Sequence, residues 1–337
     1  MSTETNSENN SGNLTLSERQ LLMKNIFVKH DRYLDAWNFL SRAHYPVKGG
    51  LPDNGCISAL VGESRAGKSS VAKNYMAEFP PATTEGGMIY PVVYVDIPID
   101  GQRALLGFLA AALGIKYSLR INNPTLRGMI FKALVDQKVE LLILDEVNTV
   151  VRADNSRSRM HTLDLFRKIL DHCSLNIVCI GLLETYDLLV ADDQLTGRGG
   201  LPYHVVKPYN WTNTEEQRLF RLLCVEFDER LPFNQKSGLG DPSFAQRLYY
   251  SSRGGIVGRL RDFVFAAGCI AINESAASIE PRHFAEAYEK SKKPGQIFNP
   301  WLHSMDGAPP FDVSPSKMAG LSAKEAFSKS SVRHAIP

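Results

Sequence analysis

The sequence predicts an α/β fold, a doubly wound parallel sheet followed by a small all-α domain, and three features of its patterning carry that prediction. Short runs that are apolar throughout recur up to residue 210, helical segments separate them, and beyond Trp211 the strand signal gives way to helix upon helix. Strands that are apolar at every position, rather than at alternate ones, belong to parallel sheets covered on both faces.

Taken in order, residues 1–16 are mostly Ser, Asn, Thr and Glu, too polar to offset the entropy of ordering, and are expected to form a disordered tail. From Ser17 the apolar positions Leu21, Leu22, Ile26, Phe27, Tyr33, Leu34, Trp37 and Leu40 follow helical spacing, so one or two helices open a core spanning 17–210. Its strand runs are CISALVG (56–62), VVYVDI (92–97), ELLILDE (140–146) and NIVCIGL (176–182). Helices are expected at about 67–79, stopped by Pro80 and Pro81, and at 102–114, 124–137 and 161–172. The all-α domain, 211–293, opens with a capping box Thr212-x-x-Glu215, starts a second helix at Asp241-Pro242, carries a third through Ile256, Leu260, Phe263 and Val264, and starts a fourth at Pro281. Pro, Gly, Ser and Lys dominate 294–337, which reads as a flexible tail with a short helix near 320–328.

Composition excludes more than it identifies. A net charge of +2 does not demand nucleic acid, so any DNA contact must rest on where Lys and Arg cluster. The five cysteines, Cys56, Cys173, Cys179, Cys224 and Cys269, are odd in number, lack a C-x-x-C pair and read as buried thiols. No secretory signal opens the chain, and its longest apolar stretch, 104–115, is too short to cross a bilayer; a cytoplasmic protein without membrane contact is expected.

The chemistry begins at Gly62-Glu63-Ser64-Arg65-Ala66-Gly67-Lys68-Ser69, which matches G-x-x-x-x-G-K-[ST] after a buried strand and at the opening of a helix. In that setting the glycines let backbone N–H groups, including those of Ala66 and Ser70, curl around phosphate oxygens, Lys68 reaches the β and γ phosphates of ATP, and Ser69 ligates Mg²⁺. The run Leu141–Glu146 places Asp145 and Glu146 at the close of a neighbouring strand, Asp145 for the magnesium shell and Glu146 to orient and polarise an attacking water. Two exposed carboxylates at a strand end are the plainer alternative.

Beyond these two motifs, the segments LLILDEVNTV, IVCIGLLETYDLLVADDQLTGR, Trp211, Leu231-Pro232 and GGIVGRLRDFVFAAGCIAI resemble the AAA+ ATPases, and within them the transposition regulators of the TniB and TnsC type, over about residues 20–290. The resemblance implies a P-loop AAA+ core with an α-helical lid, ATP held between subunits of a ring or helical filament, and duplex DNA threaded through it. It implies that Arg198 reaches a neighbour's γ-phosphate and that Arg259 acts as a lid arginine coupled to nucleotide state; a solvated loop arginine and a lid-surface arginine are the alternatives. Leu182 stands where relatives usually carry a polar residue, and Asn148 where a His often follows the acids, which points to slow hydrolysis used as an assembly switch.

For DNA the basic candidates are Lys116, Arg120 and Arg127 after the second strand, and Arg152, Arg157 and Arg159 after the acids, all for phosphate contacts without sequence preference. Lys290, Lys292 and Lys293 read as a helix end suited to its dipole, with a DNA contact as the alternative. Trp301, Phe311 and Phe327 are candidate anchors for a transposase within the tail, with untethered disorder as the equal alternative. The leading expectation is an ATP-dependent regulator that oligomerises on DNA and connects a TniQ-like target selector to a transposase. A replication initiator or helicase loader, and a non-hydrolysing ATP-binding signalling scaffold, are the alternatives.

Overall fold

The computed structural model describes residues 14–52, 55–98, 102–152, 156–197 and 200–310, the side chains at 151–152 and 156–158 excepted. Arg198, Phe311, Phe327, the helix expected at 320–328 and most of the expected N-terminal tail lie outside these residues. The described residues divide into two bodies, one built of 37–62 and 68–205, the other of 14–36, 63–67 and 206–310.

The first body is the α/β one. Its strands are β1 (Ile57–Gly62), β2 (Ala82–Thr84), β3 (Gly87–Ile89), β4 (Val92–Asp96), β5 (Leu141–Asp145), β6 (Asn176–Gly181) and β7 (Tyr203–Val206). Five of them form one sheet in the order β4-β5-β6-β1-β7, with parallel pairing between β4 and β5, β5 and β6, and β1 and β6. Every residue of β1, β5 and β6 is buried, which is the burial that their unbroken apolar runs require. The hairpin of β2 and β3 stands apart as an antiparallel pair and is largely exposed; strands of three residues are too short to leave a periodic signal in the sequence.

The α/β body's helices are the end of α2 (Asp31–His44), α3 (Lys68–Ala77), α4 (Gln102–Ala112), α5 (Asn123–Asp136), α6 (Asn148–Arg152), α7 (Ser156–His172), α8 (Leu183–Val190) and α9 (Asp193–Thr196). Leu105, Leu106, Leu109, Leu126, Ile130, Leu165, Phe166 and Ile169 bring the apolar stripes of α4, α5 and α7 into one cluster with the strand residues. Asn122 caps α5, accepting from the Thr125 N–H at 2.9 Å, with Pro124 in the first turn where its missing N–H costs nothing.

The second body is helical: α1 (Leu16–Lys24), the opening of α2, then α10 (Thr214–Glu229), α11 (Pro242–Ser251), α12 (Val257–Asn273) and α13 (Pro281–Ser291). Met23, Ile26 and Val28 join its core rather than the sheet's, so the first helix belongs with the all-α region instead of with the α/β core. Its start is earlier than composition suggested, because Thr15 and Glu18 form a capping box. In α10 the cap sits one residue beyond the expected Thr212: Asn213 accepts from Glu215 and Glu216 N–H at 2.9 and 3.1 Å, while Thr212 bonds Asn210.

Residues 294–310, expected as flexible tail, pack into this body. Trp301 is 8% exposed, stacks on Phe284 at 4.6 Å and donates its indole N–H to Ser251 Oγ at 3.0 Å. Composition missed this because Phe298, Trp301 and Met305 are few, yet each meets an apolar neighbour. Among the described residues no helix is long and apolar enough to cross a membrane. Cys173, Cys179 and Cys224 are buried thiols, and burial raises the pKa of each.

His30 lies in the same body, its side chain 8% exposed, and burial lowers its pKa from 6.5 to about 4. The unfolded chain therefore takes up this proton at a higher pH than the folded chain does. Stability is complete above pH 6.5 and is lost as pH falls towards 4, by up to about 1.4 kcal/mol per pH unit. Denaturant titrations between pH 6.5 and 5 are expected to show this slope reduced in His30→Gln; an unchanged slope would remove His30 as its source.

Candidate functional site

Parallel strands end together, so the carboxyl ends of β1, β4, β5 and β6 form one edge of the sheet. Register fixes the order along it: Val61 lies opposite Gly181, Leu144 opposite Cys179 and Asp96 opposite Asp145. The strand ending in Gly62 and the strand ending in Asp145 are not neighbours, contrary to the sequence expectation, because β6 is inserted between them. Chain order carries no information about such an insertion, and its effect is to place Gly181 and Leu182 between the phosphate-loop strand and the acids.

At this edge Lys68 opens α3, is 8% exposed and donates from Nζ to the Gly62 carbonyl at 2.9 Å. A buried ammonium on a loop's own carbonyl is an arrangement that an anion at the helix start would rebalance. Ser69 is half-buried and Ser70 exposed in the same first turn. Gly67, with φ at 94°, makes the loop conformation that a Cβ would strain.

Asp145 is 1% exposed, and its Oδ1 accepts the Glu146 N–H at 2.8 Å. Glu146 itself is exposed and left-handed, with φ at 58°, a conformation that costs a non-glycine residue about 1–2 kcal/mol. The strain turns its side chain away from the strand's alternation, where Asn148 meets it. Asn148 Nδ2 donates to Glu146 Oε2 at 3.1 Å, and its Oδ1 faces the Leu182 N–H at 3.4 Å. The polar contact absent from the Leu182 side chain is thus made by its main chain, through an asparagine 5% exposed.

The loop residues Glu63–Gly67 pack within the helical body. The Arg65 carbonyl accepts the Gly258 N–H at 2.8 Å, and its guanidinium pairs with Asp262 of α12. Arg259, in the first turn of α12, is half-buried; burial lowers its pKa, Arg253 adds to this, and Glu63 opposes it. Ser64 is exposed and Ala66 buried. The structure therefore brings Gly62, Lys68, Ser69, Ser70, Asp145 and Glu146 together in one body, and Ser64, Ala66, Gly67 and Arg259 in the other.

Of the basic candidates, Lys116 and Arg120 are exposed in the turn after α4, and Arg127 is half-buried on α5. Arg152 closes α6, Arg157 lies in the first turn of α7, and Arg159 follows, half-buried. Lys290 and Lys292 are tied by ion pairs to Glu286 and Glu289 at the end of α13, as a helix terminus favours. Sequence reasoning missed Tyr94, which bonds Asp145, and Gly181; the sign available was a polar pair, Tyr94 and Asp96, at alternate positions of an otherwise apolar strand.

Residues 51–204 match the family model described as bacterial TniB protein. The match spans a little under half of the chain, and over that stretch the sequence is similar to the TniB family. The chain is similar in structure to the Aeropyrum pernix ORC2 protein in its ADPNP-ADP complexes, with a TM-score of 0.56 and 13% identity over 84% of this chain and 74% of that one. It is similar also to Drosophila ORC bound to DNA (TM-score 0.54, 14% identity, 87% and 70% of the two chains) and to Cdc6p of Pyrobaculum aerophilum (0.53, 12%, 80% and 70%). These likenesses show the fold alone, a parallel α/β sheet with a C-terminal helical domain like that of the ORC and Cdc6 structures. No curated protein matches by sequence.

In the α/β body Gly181 is packed tightly. A Cβ there would lie 2.8 Å from Asn148 Oδ1 and collide with Thr185 Oγ1, both side chains buried. Gly181→Ala is expected to destabilise the fold by about 1–3 kcal/mol through overpacking. Gly128→Ala, on α5 with nothing within 4 Å of its added Cβ, is expected to stabilise by about 1 kcal/mol. Thermal melts of both variants check this, and equal effects would contradict the packing at Gly181.

Proposed function

We propose that this chain is an ATP-dependent, DNA-binding transposition regulator, which assembles on target DNA with ATP and connects a TniQ-like target selector to a transposase. The observation that carries the ATP part is the placing of buried Lys68 and buried Asp145 at one carboxyl edge, with the strained Glu146 beside them. The family match over 51–204 supports transposition over replication as the setting.

In this reading the backbone N–H groups of the loop and Lys68 bind and orient the triphosphate. Ser69 and Asp145 offer the hard oxygen donors that would hold Mg²⁺, and the metal would supply positive charge beside the phosphates. Glu146 accepts a proton from the attacking water and orients it, while Asn148 restrains its carboxylate. That restraint, with an apolar Leu182 side chain beside it, favours slow turnover, and slow turnover suits a switch whose working state is the ATP-bound assembly. Arg198 is assigned by resemblance to a neighbouring subunit's γ-phosphate, and Arg259 to coupling nucleotide state with the helical body.

DNA would be held through its phosphates by Lys116, Arg120 and Arg127 and by Arg152, Arg157 and Arg159, without sequence preference and with strong dependence on salt. Among the structural relatives, one ORC is bound to DNA and another carries ADPNP and ADP, which supports nucleotide and DNA handling by analogy of fold. Glu146→Gln is expected to keep ATP binding, lose at least about 100-fold in turnover, and sediment with linear duplex DNA long after wild-type protein has dissociated. Turnover within about twofold of wild type would remove Glu146 from its role.

A further inference from the structure

Tyr94 and Asp96 are two residues apart on β4, so their side chains leave the same face of the sheet. The ladder pairs Asp96 with Asp145 and Tyr94 with Ile143, which puts Tyr94 diagonal to Asp145, within reach of an aromatic side chain. The phenol oxygen lies 2.6 Å from Asp145 Oδ2 and 2.8 Å from Asp96 Oδ1. A phenol carries one hydrogen and can donate to one of the two. Asp145 has the shorter contact and is 1% exposed, whereas Asp96 is exposed and can be satisfied by water.

With the Tyr94 O–H on Oδ2 and the Glu146 N–H on Oδ1, each Asp145 oxygen holds one donor, and the plane of the carboxylate is set. The ring is itself held, because the Lys73 ammonium of α3 lies 5.0 Å from its centroid. Burial first, then the two carboxylates, push the phenol's pKa up, so it remains a donor at neutral pH.

We propose that Tyr94 is a positioning residue for Mg²⁺: by fixing the Asp145 carboxylate it sets how tightly the site holds the metal that accompanies the nucleotide. The inference rests on the reading of this edge as a magnesium-nucleotide site. A hydrogen-bonding partner that orients a ligating carboxylate typically contributes 10–100-fold in metal affinity, which is ample for a clear readout.

The test uses the full-length chain and the fluorescent analogue mant-ATP, titrated with Mg²⁺ for wild type, Tyr94→Phe and Asp96→Asn. Tyr94→Phe is expected to raise the half-saturating Mg²⁺ concentration about tenfold, with mant-ATP affinity in EDTA and the thermal midpoint as in wild type. Asp96→Asn is expected to leave the Mg²⁺ titration where wild type has it. A Tyr94→Phe titration that superimposes on wild type, or shifts to lower Mg²⁺, overturns the inference, as does an equal shift in Asp96→Asn. If wild type itself binds mant-ATP with no response to Mg²⁺, the reading of the site falls with the inference.

Discussion

The sheet around β1, β5 and β6 is buried on both faces, and its interior leaves no place for a charged group without a partner. Partnered polar groups are therefore kept to the strand ends, with His44, Tyr45, Glu140 and Asn176 at the amino ends and a second set at the carboxyl edge, where the strands stop and their loops turn away. Lys68, Asp145, Asn148 and the carbonyl of Gly62 are found there, each buried and each partnered within the edge itself. The same confinement explains the strain at Glu146: a residue that must leave a fully buried strand at once takes a left-handed turn, and Asn148 catches its carboxylate.

The helical body repeats the pattern of partnered polar groups around an apolar core. Tyr209 donates to Asp31, the Arg32 guanidinium meets Glu216 at 2.9 Å and lies over the Tyr209 ring at 4.9 Å. Asp228 gathers the Ser237, Gly238 and Leu239 N–H groups and so fixes the turn between α10 and α11. The Arg65 carbonyl and guanidinium, held by Gly258 and Asp262, give residues 63–67 a defined place within that body.

Much of this was legible in the residues. Unbroken apolar runs announced β1, β5 and β6 because burial on both faces leaves no polar position to blur the signal. The G-x-x-x-x-G-K-S spacing located Lys68 and Ser69, and the paired acids at a strand's end located Asp145 and Glu146. Strand order was not legible, since the insertion of β6 between β1 and β5 depends on packing among segments far apart in the chain. Nor were the contacts of Tyr94 and Asn148, which arise from register and from a strained dihedral. The packing of residues 298–308 was hidden for a related reason: a few aromatics in a polar stretch look like a tail until the surface that receives Trp301 is known.

The central claim is that a magnesium-bound triphosphate is held at the carboxyl edge that carries both Lys68 and Asp145. Equilibrium dialysis of radiolabelled ATP against the full chain, with Mg²⁺ and with EDTA, tests it for wild type and Lys68→Ala. Saturable binding that depends on Mg²⁺ and disappears in Lys68→Ala is the predicted result. Binding that is indifferent to Mg²⁺, or undiminished without the lysine, would contradict it.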